Sequence, residues 1–278
     1  AAVGPCSARA GPPAAAHKPP LIRRLKVLTF NMWGDARGAG TQLRRAAAAV
    51  ALFGELCPDV ICMQEPYPAL LHAIGEAAWY EGYALAHPKV HTRFARDGGN
   101  VMLVRKRLRI LDVDTVPFFN TRSGRAALVA KLDIGAGMHV WVGATHLESP
   151  DVRGGRWFKE ERCSQLKQAL CALDSLWTED AEACAGLILC GDMNWGDARF
   201  EDGDFSTKDG AMPLTRGWFD AWPVLKASSG ERGFTYDTRR NKMLADWLGA
   251  EGGLRLDRCV ARLDGDVYHQ MVCVVPSH

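Results

Sequence analysis

Asn31, Glu65, His146, the pair Asp192 and Asn194, and His278 occupy the same kind of place in this 278-residue chain. Each closes an apolar, strand-like run: "LTFN", "VICMQE", "VGATH", "LILCGDMN" and "VVPSH". Asp192 and Asn194 stand two residues apart, and in an extended segment residues i and i+2 share a face. A single polar group at a strand end is usually only a terminus, and Gly, Asp and Asn are ordinary turn formers. The set as a whole suits other chemistry. Two carboxylates, two amides and two imidazoles on one rim would hold a hard divalent cation and a phosphate. Mg²⁺ takes one or two carboxylates and leaves the rest of its octahedron to water and substrate phosphate. Hydrolysis then needs a group that orients or deprotonates water, and donors to the charge growing on the phosphorus oxygens. No Gly-x-Ser-x-Gly elbow and no cysteine nucleophile competes with that reading.

Such groups cooperate only if the fold gathers strand ends. From Leu25 onward β-type runs alternate with helical patterns: "LKVLTF", "DVICMQ", "NVMLVRK", "AALVAKLDI", "HVWVGATHL", "GLILCGD", and later "RLDRCVARL" and "YHQMVCVV". Their lengths and β-branched content suit strands. In Thr41–Leu56 the residues Leu43, Ala46, Ala47, Val50 and Phe53 recur at helical spacing, with Pro58 just beyond. Leu166, Leu170, Leu173 and Trp177 mark a second helix over Glu161–Trp177, and Tyr67–Trp79 reads as a third. Many strands with few helices predict an α/β fold, a two-sheet α/β sandwich with outer helices. A doubly wound parallel sheet would need a helix after nearly every strand, and Asn100–Gly143 offers none.

Composition sets the outer bounds. A hydrophobic content of 47%, a charged content of 24% and a net charge of +2 suit a globular chain without a histone-like blanket of positive charge. Nucleic-acid contact must therefore come from local patches, for which "RKRLR" (105–109) and "RRNK" (239–242) are the candidates. The first of these reads better as a solvated edge strand. No run reaches the roughly 18 apolar residues of a membrane-spanning helix. Nine cysteines without CxxC pairing read as reduced, small hydrophobes of an intracellular protein. Residues 1–20, rich in Ala and Pro and free of acids, read as a linker or N-terminal remnant, leaving 21–278 as the folded domain.

The ordered motifs "TFNMW", "QE", "THLES", "GDMNWGD" and "LDR" resemble the endonuclease/exonuclease/phosphatase superfamily of metal-dependent phosphoesterases, whose fold is DNase I-like. Adding "KEERCSQLKQAL", "GWFDAW", "GFTYDTRRNKML" and "RLDRCV" narrows the resemblance to the tyrosyl-DNA phosphodiesterase 2 family, its plant-type members especially, over roughly Leu25 to Leu263. The resemblance implies a Mg²⁺-dependent enzyme, with Mn²⁺ as the alternative ion. Its substrate would be the 5′-phosphotyrosyl DNA bond left by a trapped topoisomerase II. DNA with a single-stranded 5′ end and a topoisomerase-derived peptide would be its partners. The resemblance further implies a monomer away from membranes, in the nucleus, with cytoplasm and plastid as alternatives.

Residue by residue, the resemblance makes Glu65 the metal ligand, with Asn31 positioning metal-bound water or phosphate. It makes Asp192 the group that orients or deprotonates water and Asn194 a phosphoryl contact, with His146 and His278 stabilising charge on the phosphorus oxygens. Asp257 is either a carboxylate that orients a catalytic His or a buried partner of Arg255 or Arg258. Ser149 shapes the substrate groove, Arg125 and Asn241 face DNA phosphate, and Arg239 adds to that patch. Tyr236 stands where the family often has Trp and would stack on a base. Two other readings remain open. One is a different phosphoesterase of the superfamily, acting on an abasic site, an RNA tail or a phosphoinositide. The other is a catalytically impaired DNA-binding relative. That second reading comes from the chain end: the superfamily pattern closes on Ser-Asp-His and a further strand, whereas here Ser277 directly precedes His278. The departure from that pattern implies a C-terminus cut short or mis-assembled, or a degenerate copy, and severely reduced activity for the chain as it stands.

Overall fold

A computed structural model describes residues 20–34, 38–87, 99–151, 154–195, 211–226, 232–241, 253–263 and 271–274. The strands in chain order are β1 (Leu25–Asn31), β2 (Val60–Gln64), β3 (Tyr83–Ala86), β4 (Val101–Arg105), β5 (Arg109–Pro117), β6 (Ala126–Gly135), β7 (Met138–His146) and β8 (Cys184–Asp192). They continue with β9 (Phe219–Asp220), β10 (Tyr236–Asp237), β11 (Gly253–Leu254), β12 (Asp257–Leu263) and β13 (Met271–Val274). One sheet has the order β13-β1-β2-β4-β3 and the other β5-β6-β7-β8-β12-β9, with β10 and β11 forming a small ribbon. The expected two-sheet α/β sandwich with outer helices is the architecture observed.

The period-2 alternation of each strand builds four layers. Val27, Val60 and Cys62 of the first sheet meet Val140, Val142, Ala144, Ile188 and Cys190 of the second in the central core. The intervening Leu28, Ile61 and Met63 face outward onto Ala46, Ala49 and Phe53 of α1 (Ala39–Leu56) and onto Leu70 and Ile74 of α2 (Pro68–Gly75). On the other side, Trp141, Leu187 and Leu189 pack on Leu166, Leu170 and Leu173 of α3 (Lys159–Glu179). Strands β2 and β8 are therefore buried on both faces along their whole length, which explains their continuous apolar spelling.

The helices differ from expectation mainly at their ends. α1 and α3 begin two residues earlier than the apolar stripe suggested. The third expected helix divides: Tyr67 is extended and precedes Pro68, which lacks the N–H that a first helical turn leaves unpaired. Gly75 ends the α-helical part, and Ala78–Gly82 is a 3-10 turn. A short α4 (Ala221–Lys226) follows β9. "RKRLR" is an edge strand only in its last residue: Arg105 ends β4, residues 106–108 turn, and Arg109 opens β5, the outermost strand of its sheet. Arg107 reaches Asp59 at 2.8 Å and Arg109 reaches Asp133 at 2.9 Å. Because Val60 of β2 pairs with Val104, this turn lies at the opposite end of the sheet from Glu65.

Candidate active site

Strand register places the site. β1 runs parallel to β2 with Asn31 opposite Gln64, so Glu65 is the next residue out. In the other sheet β7 runs parallel to β8 with His146 opposite Asp192, and antiparallel β12 sets its first residue, Asp257, opposite Asp192 as well. The two sheets meet through these ends: Asn31 Nδ2 donates to Asp192 Oδ2 at 2.8 Å. Asn31, Glu65, His146 and Asp192 thus converge on one rim, as their positions at strand ends predicted.

The backbone is bent to hold them there. Trp33, Glu65 and Asn194 adopt φ of 44°, 50° and 48°, the left-handed region that residues other than glycine rarely enter. Such conformations cost on the order of 1–3 kcal/mol each and gather at functional sites. Each bend is held by a contact to the site. The Trp33 N–H donates to Asn31 Oδ1 at 2.8 Å, the Gly34 N–H to Glu65 Oε2 at 3.2 Å, and the Asn194 N–H to Asp192 Oδ1 at 2.8 Å. Gly191 has φ 150°, and a Cβ on it would lie 1.8 Å from the Thr145 carbonyl oxygen. Only glycine lets β8 approach β7 closely enough to set Asp192 beside His146.

Arg125 is the cation of the rim. Its guanidinium contacts His146 Nδ1, donates to Ser149 Oγ at 3.1 Å and lies 3.9 Å from Glu65 Oε1. A guanidinium only donates, so His146 Nδ1 accepts and the imidazole proton resides on Nε2. Nε2 faces Asp192 Oδ2 at 3.6 Å and Ser149 Oγ at 3.5 Å. Burial, reinforced by the Arg125 charge, holds His146 well below the ordinary imidazole range, so it is a neutral donor at pH 7.

The sequence matches the Endonuclease/Exonuclease/phosphatase family over residues 28–277. The chain belongs to that family. It is 27% identical over 236 residues to tyrosyl-DNA phosphodiesterase 2 of Xenopus laevis, covering 84% of this chain and 55% of that protein. Against the Xenopus tropicalis protein of the same name the identity is 28% over 218 residues, covering 78% and 51%. The chain therefore spans about half the length of the curated relatives it matches. Among solved structures, TDP2 from C. elegans superimposes with a TM-score of 0.64 at 21% identity, covering 86% of this chain and 64% of that one. TDP2 from D. rerio, complexed with a single-strand DNA product, gives 0.63 at 22%, covering 86% and 84%. These likenesses establish the DNase I-like sandwich.

A family site must accept a divalent cation, and the donor set at this rim fits one. Glu65 is pushed above the ordinary carboxylate range by burial, which outweighs Arg125 and is reinforced by the charge on Asp192. Burial raises Asp192 too, against the hydrogen bonds from Asn31 and Asn194. Asp257 is pushed up to about 8 by burial and then by Asp192. Its Oδ1 is buried and has no hydrogen-bond partner among the described residues. Three carboxyls pushed toward protonation around one rim call for positive charge. Among the described residues no closed cage of three or more His, Cys, Asp or Glu ligands forms.

Several family expectations acquire a different local meaning. Asn194 Nδ2 donates to Leu147 O at 3.0 Å and to Ser149 Oγ at 3.3 Å. Both amide hydrogens are thereby engaged in holding the 147–149 turn rather than directed at an open phosphoryl position. Arg125, expected on DNA phosphate, is inside the rim, its side chain only 13% exposed. For Asp257, the pairing with Arg255 or Arg258 gives way. Both arginines close on Asp220, at 2.7–2.9 Å, which lies on the neighbouring strand and supplies two oxygens to two guanidiniums. Asp257 instead faces Asp192, with its N–H donating to Thr235 Oγ1 at 3.0 Å. Tyr236 is buried among Leu254 and Leu256, with Trp33 and Trp157 packed alongside. Little of its ring is open to a base, and the exposed edge of this cluster belongs to the two tryptophans. Arg239 and Asn241 lie on the turn after β10, where Arg239 N–H donates to Asp237 Oδ1 and Asn241 N–H to Asp237 O, both at 2.9 Å. His278, with residues 1–19, lies outside the described residues.

Sequence reasoning passed over three buried polar residues that support the rim: Glu148, Arg162 and Gln165. Arg162 Nη1 donates to Glu148 O at 3.2 Å and Trp157 O at 2.5 Å, and its charge steadies the Asp192 carboxylate. A signal was available. Arg162 and Gln165 fall on the same helical face as Leu166, Leu170 and Leu173, where a polar residue needs a partner.

Proposed function

We propose that this chain is a Mg²⁺-dependent phosphodiesterase that hydrolyses 5′-phosphotyrosyl bonds in DNA, the kind of adduct a trapped topoisomerase II leaves. The observation that carries this reading is the convergence of Asn31, Glu65, His146 and Asp192 on one rim. The chain's likeness to tyrosyl-DNA phosphodiesterase 2 proteins supports the choice of substrate. Mn²⁺ is the alternative ion, and a nuclear location follows from the substrate.

Glu65, with Asn31 beside it, would hold the cation. When bound, the ion supplies positive charge to the phosphate and to the carboxylates around it. Asp192 orients water and takes its proton, a role that suits a carboxylate whose affinity for protons burial has raised. The water oxygen forms a bond to phosphorus as the bond from phosphorus to the tyrosine oxygen breaks. The products are a 5′-phosphate and a phenolate that takes its proton from solvent. A phenol of pKa about 10 leaves readily. His146 Nε2–H and the Arg125 guanidinium are the donors available to charge developing on the phosphorus oxygens.

The test is release of tyrosine from a 5′-phosphotyrosyl oligonucleotide with Mg²⁺ and with chelator, run beside an abasic duplex and a phosphoinositide. Metal-dependent turnover of the phosphotyrosyl substrate alone is expected. Turnover of either control in its place would reassign the substrate. Metal-independent DNA binding without turnover of any of the three would make the chain a binding relative.

A further inference from the structure

Glu148 has no part in the chemistry above, although it lies two residues beyond His146. It is 1% exposed, and four donors converge on its carboxylate. Oε2 accepts from Thr121 Oγ1 at 3.0 Å, from the Arg122 N–H at 3.1 Å and from Gln165 Nε2 at 3.0 Å. Oε1 accepts from Ser123 Oγ at 2.7 Å. Burial alone would raise this carboxyl, but the hydrogen bonds outweigh it and hold Glu148 below the ordinary range, hence ionised. Its own N–H donates to Gln165 Oε1 at 2.8 Å, which fixes it against α3.

Three of the four donors belong to the loop between β5 and β6. Thr121 relays the connection: its hydroxyl donates to Glu148 and accepts the Arg125 N–H at 2.8 Å. Arg125 then reaches His146, Ser149 and Glu65. Within the loop the Phe118 N–H also donates to the Arg125 carbonyl, at a longer 3.3 Å. Phe118 is buried, but Phe119 is 83% exposed, and the outer attachments are polar contacts to Gln168 and Glu161 of α3.

We propose that Glu148 is a positioning residue: a buried anion that fixes residues 121–125 and so sets where the Arg125 guanidinium stands between His146 and Glu65. Only the part that Arg125 then plays in turnover rests on the proposed phosphodiesterase function. The choice of an acid follows from the donors. An ionised carboxylate accepts at about four sites and donates at none. Glutamine is a workable substitute, because its carbonyl can take the Oε2 partners while its NH₂ faces the Ser123 hydroxyl, which accepts as well as donates. Alanine leaves all four donors without that acceptor.

Amide hydrogen exchange tests the positioning directly and needs no substrate. In Glu148→Ala the Arg122 and Arg125 amides should exchange on the order of ten-fold faster or more, while β7 and β8 stay as protected as in the unaltered chain. Thr121→Val, which cuts the relay at little change in volume, should release the Arg125 amide even if Glu148→Ala fails to fold. On the phosphotyrosyl oligonucleotide, kcat/KM should fall by roughly 10²-fold in Glu148→Ala, as for other misplaced catalytic groups. Glu148→Gln should retain most of the activity. Added to Arg125→Ala, Glu148→Ala should cost nothing further, since residues of one hydrogen-bonded network are not additive. Unchanged exchange of both loop amides in folded variants would overturn the proposal, and so would multiplicative losses in the double variant. If the unaltered chain turned over no phosphotyrosyl substrate, the proposed function would fall and exchange alone would decide the role of Glu148.

Discussion

Raising the pH should destabilise the metal-free protein at a pH where most proteins are indifferent to it. Asp257 has its carboxyl raised to about 8 by burial and by Asp192, and Asp192 and Glu65 are raised with it. A carboxyl raised in the folded state binds a proton that the unfolded chain has already released. Its stabilisation is complete below about pH 4 and is lost as pH rises toward the folded value. Other groups oppose this, but elsewhere. His146 and His139 are lowered, so their contribution is gained on the way up to about 6.5 and is then constant. Glu148 and Asp220 are lowered as well and act only near and below pH 4. Burial raises Cys184 from 9.0, which places it above the window. Among the described residues, the raised carboxyls are therefore the groups that drive the change between about pH 7 and 8. One group titrating this way changes stability by at most about 1.4 kcal/mol per pH unit. For a chain of this size that is roughly 2–3 °C in Tm. The assay is thermal unfolding in chelator at pH 6.5, 7, 7.5 and 8, repeated with Asp257→Asn and with excess Mg²⁺. Tm should fall with pH in chelator, fall less in Asp257→Asn, and hold or rise with Mg²⁺, which favours the ionised rim. A chelated Tm that stayed flat or rose over this range would refute the electrostatic account of the site.

Asp192→Asn should lower turnover by about 10²–10⁴-fold while leaving DNA affinity nearly intact, measured by single-turnover kinetics and equilibrium binding. The amide keeps the shape and the contact with Asn31 but cannot take the proton. Gly191→Ala should lose turnover and several degrees of Tm together, because the added Cβ meets the Thr145 carbonyl at 1.8 Å and must part His146 from Asp192; an active, stable variant would mean that this approach is not needed. Arg239 and Arg240, whose side chains are about two-thirds exposed, should each contribute to salt-dependent binding. Their joint replacement by Ala should flatten the salt slope by about two units, and an unchanged slope would leave them only the structural ion pairs with Asp237.

The rim was legible in the sequence because a polar residue that ends an apolar run marks itself, and period-2 geometry then fixes which neighbours share its face. The sandwich was legible for the same reason: β2 and β8 are spelled as buried strands. What escaped had no local spelling. β5 is an edge strand whose buried and exposed positions do not alternate cleanly, with Asp112 and Asp114 inside it. β9, β10 and β11 are two residues each. Arg125 reads from the sequence only as a DNA-phosphate contact, because nothing near it in sequence shows the partners it meets; His146 is 21 residues away and Glu65 is 60 away in sequence. The place of Tyr236 in its motif implies stacking on a base, yet Leu254 and Leu256 pack around it and bury it.

The backbone bends and the raised carboxyls have a common origin. Asp192 stands between Glu65 and Asp257, and its charge adds to the burial that raises both. Asn31 and Asn194 hold Asp192 from two sides, and the turns that present them require positive φ at Trp33, Glu65 and Asn194. Left to itself such a cluster would relax, either by protonation or by letting the turns swing outward. It stays because the four-layer core fixes the strand ends within hydrogen-bonding distance of one another. A divalent cation held by Glu65 and Asn31 would remove the mutual repulsion of the carboxylates and so recover stability withheld at the rim. Ligand binding and local rigidity would thereby be coupled. Protection of the Glu65 and Asn194 turns against hydrogen exchange should rise on adding Mg²⁺, whereas the cores of β2 and β8, already buried on both faces, should not change.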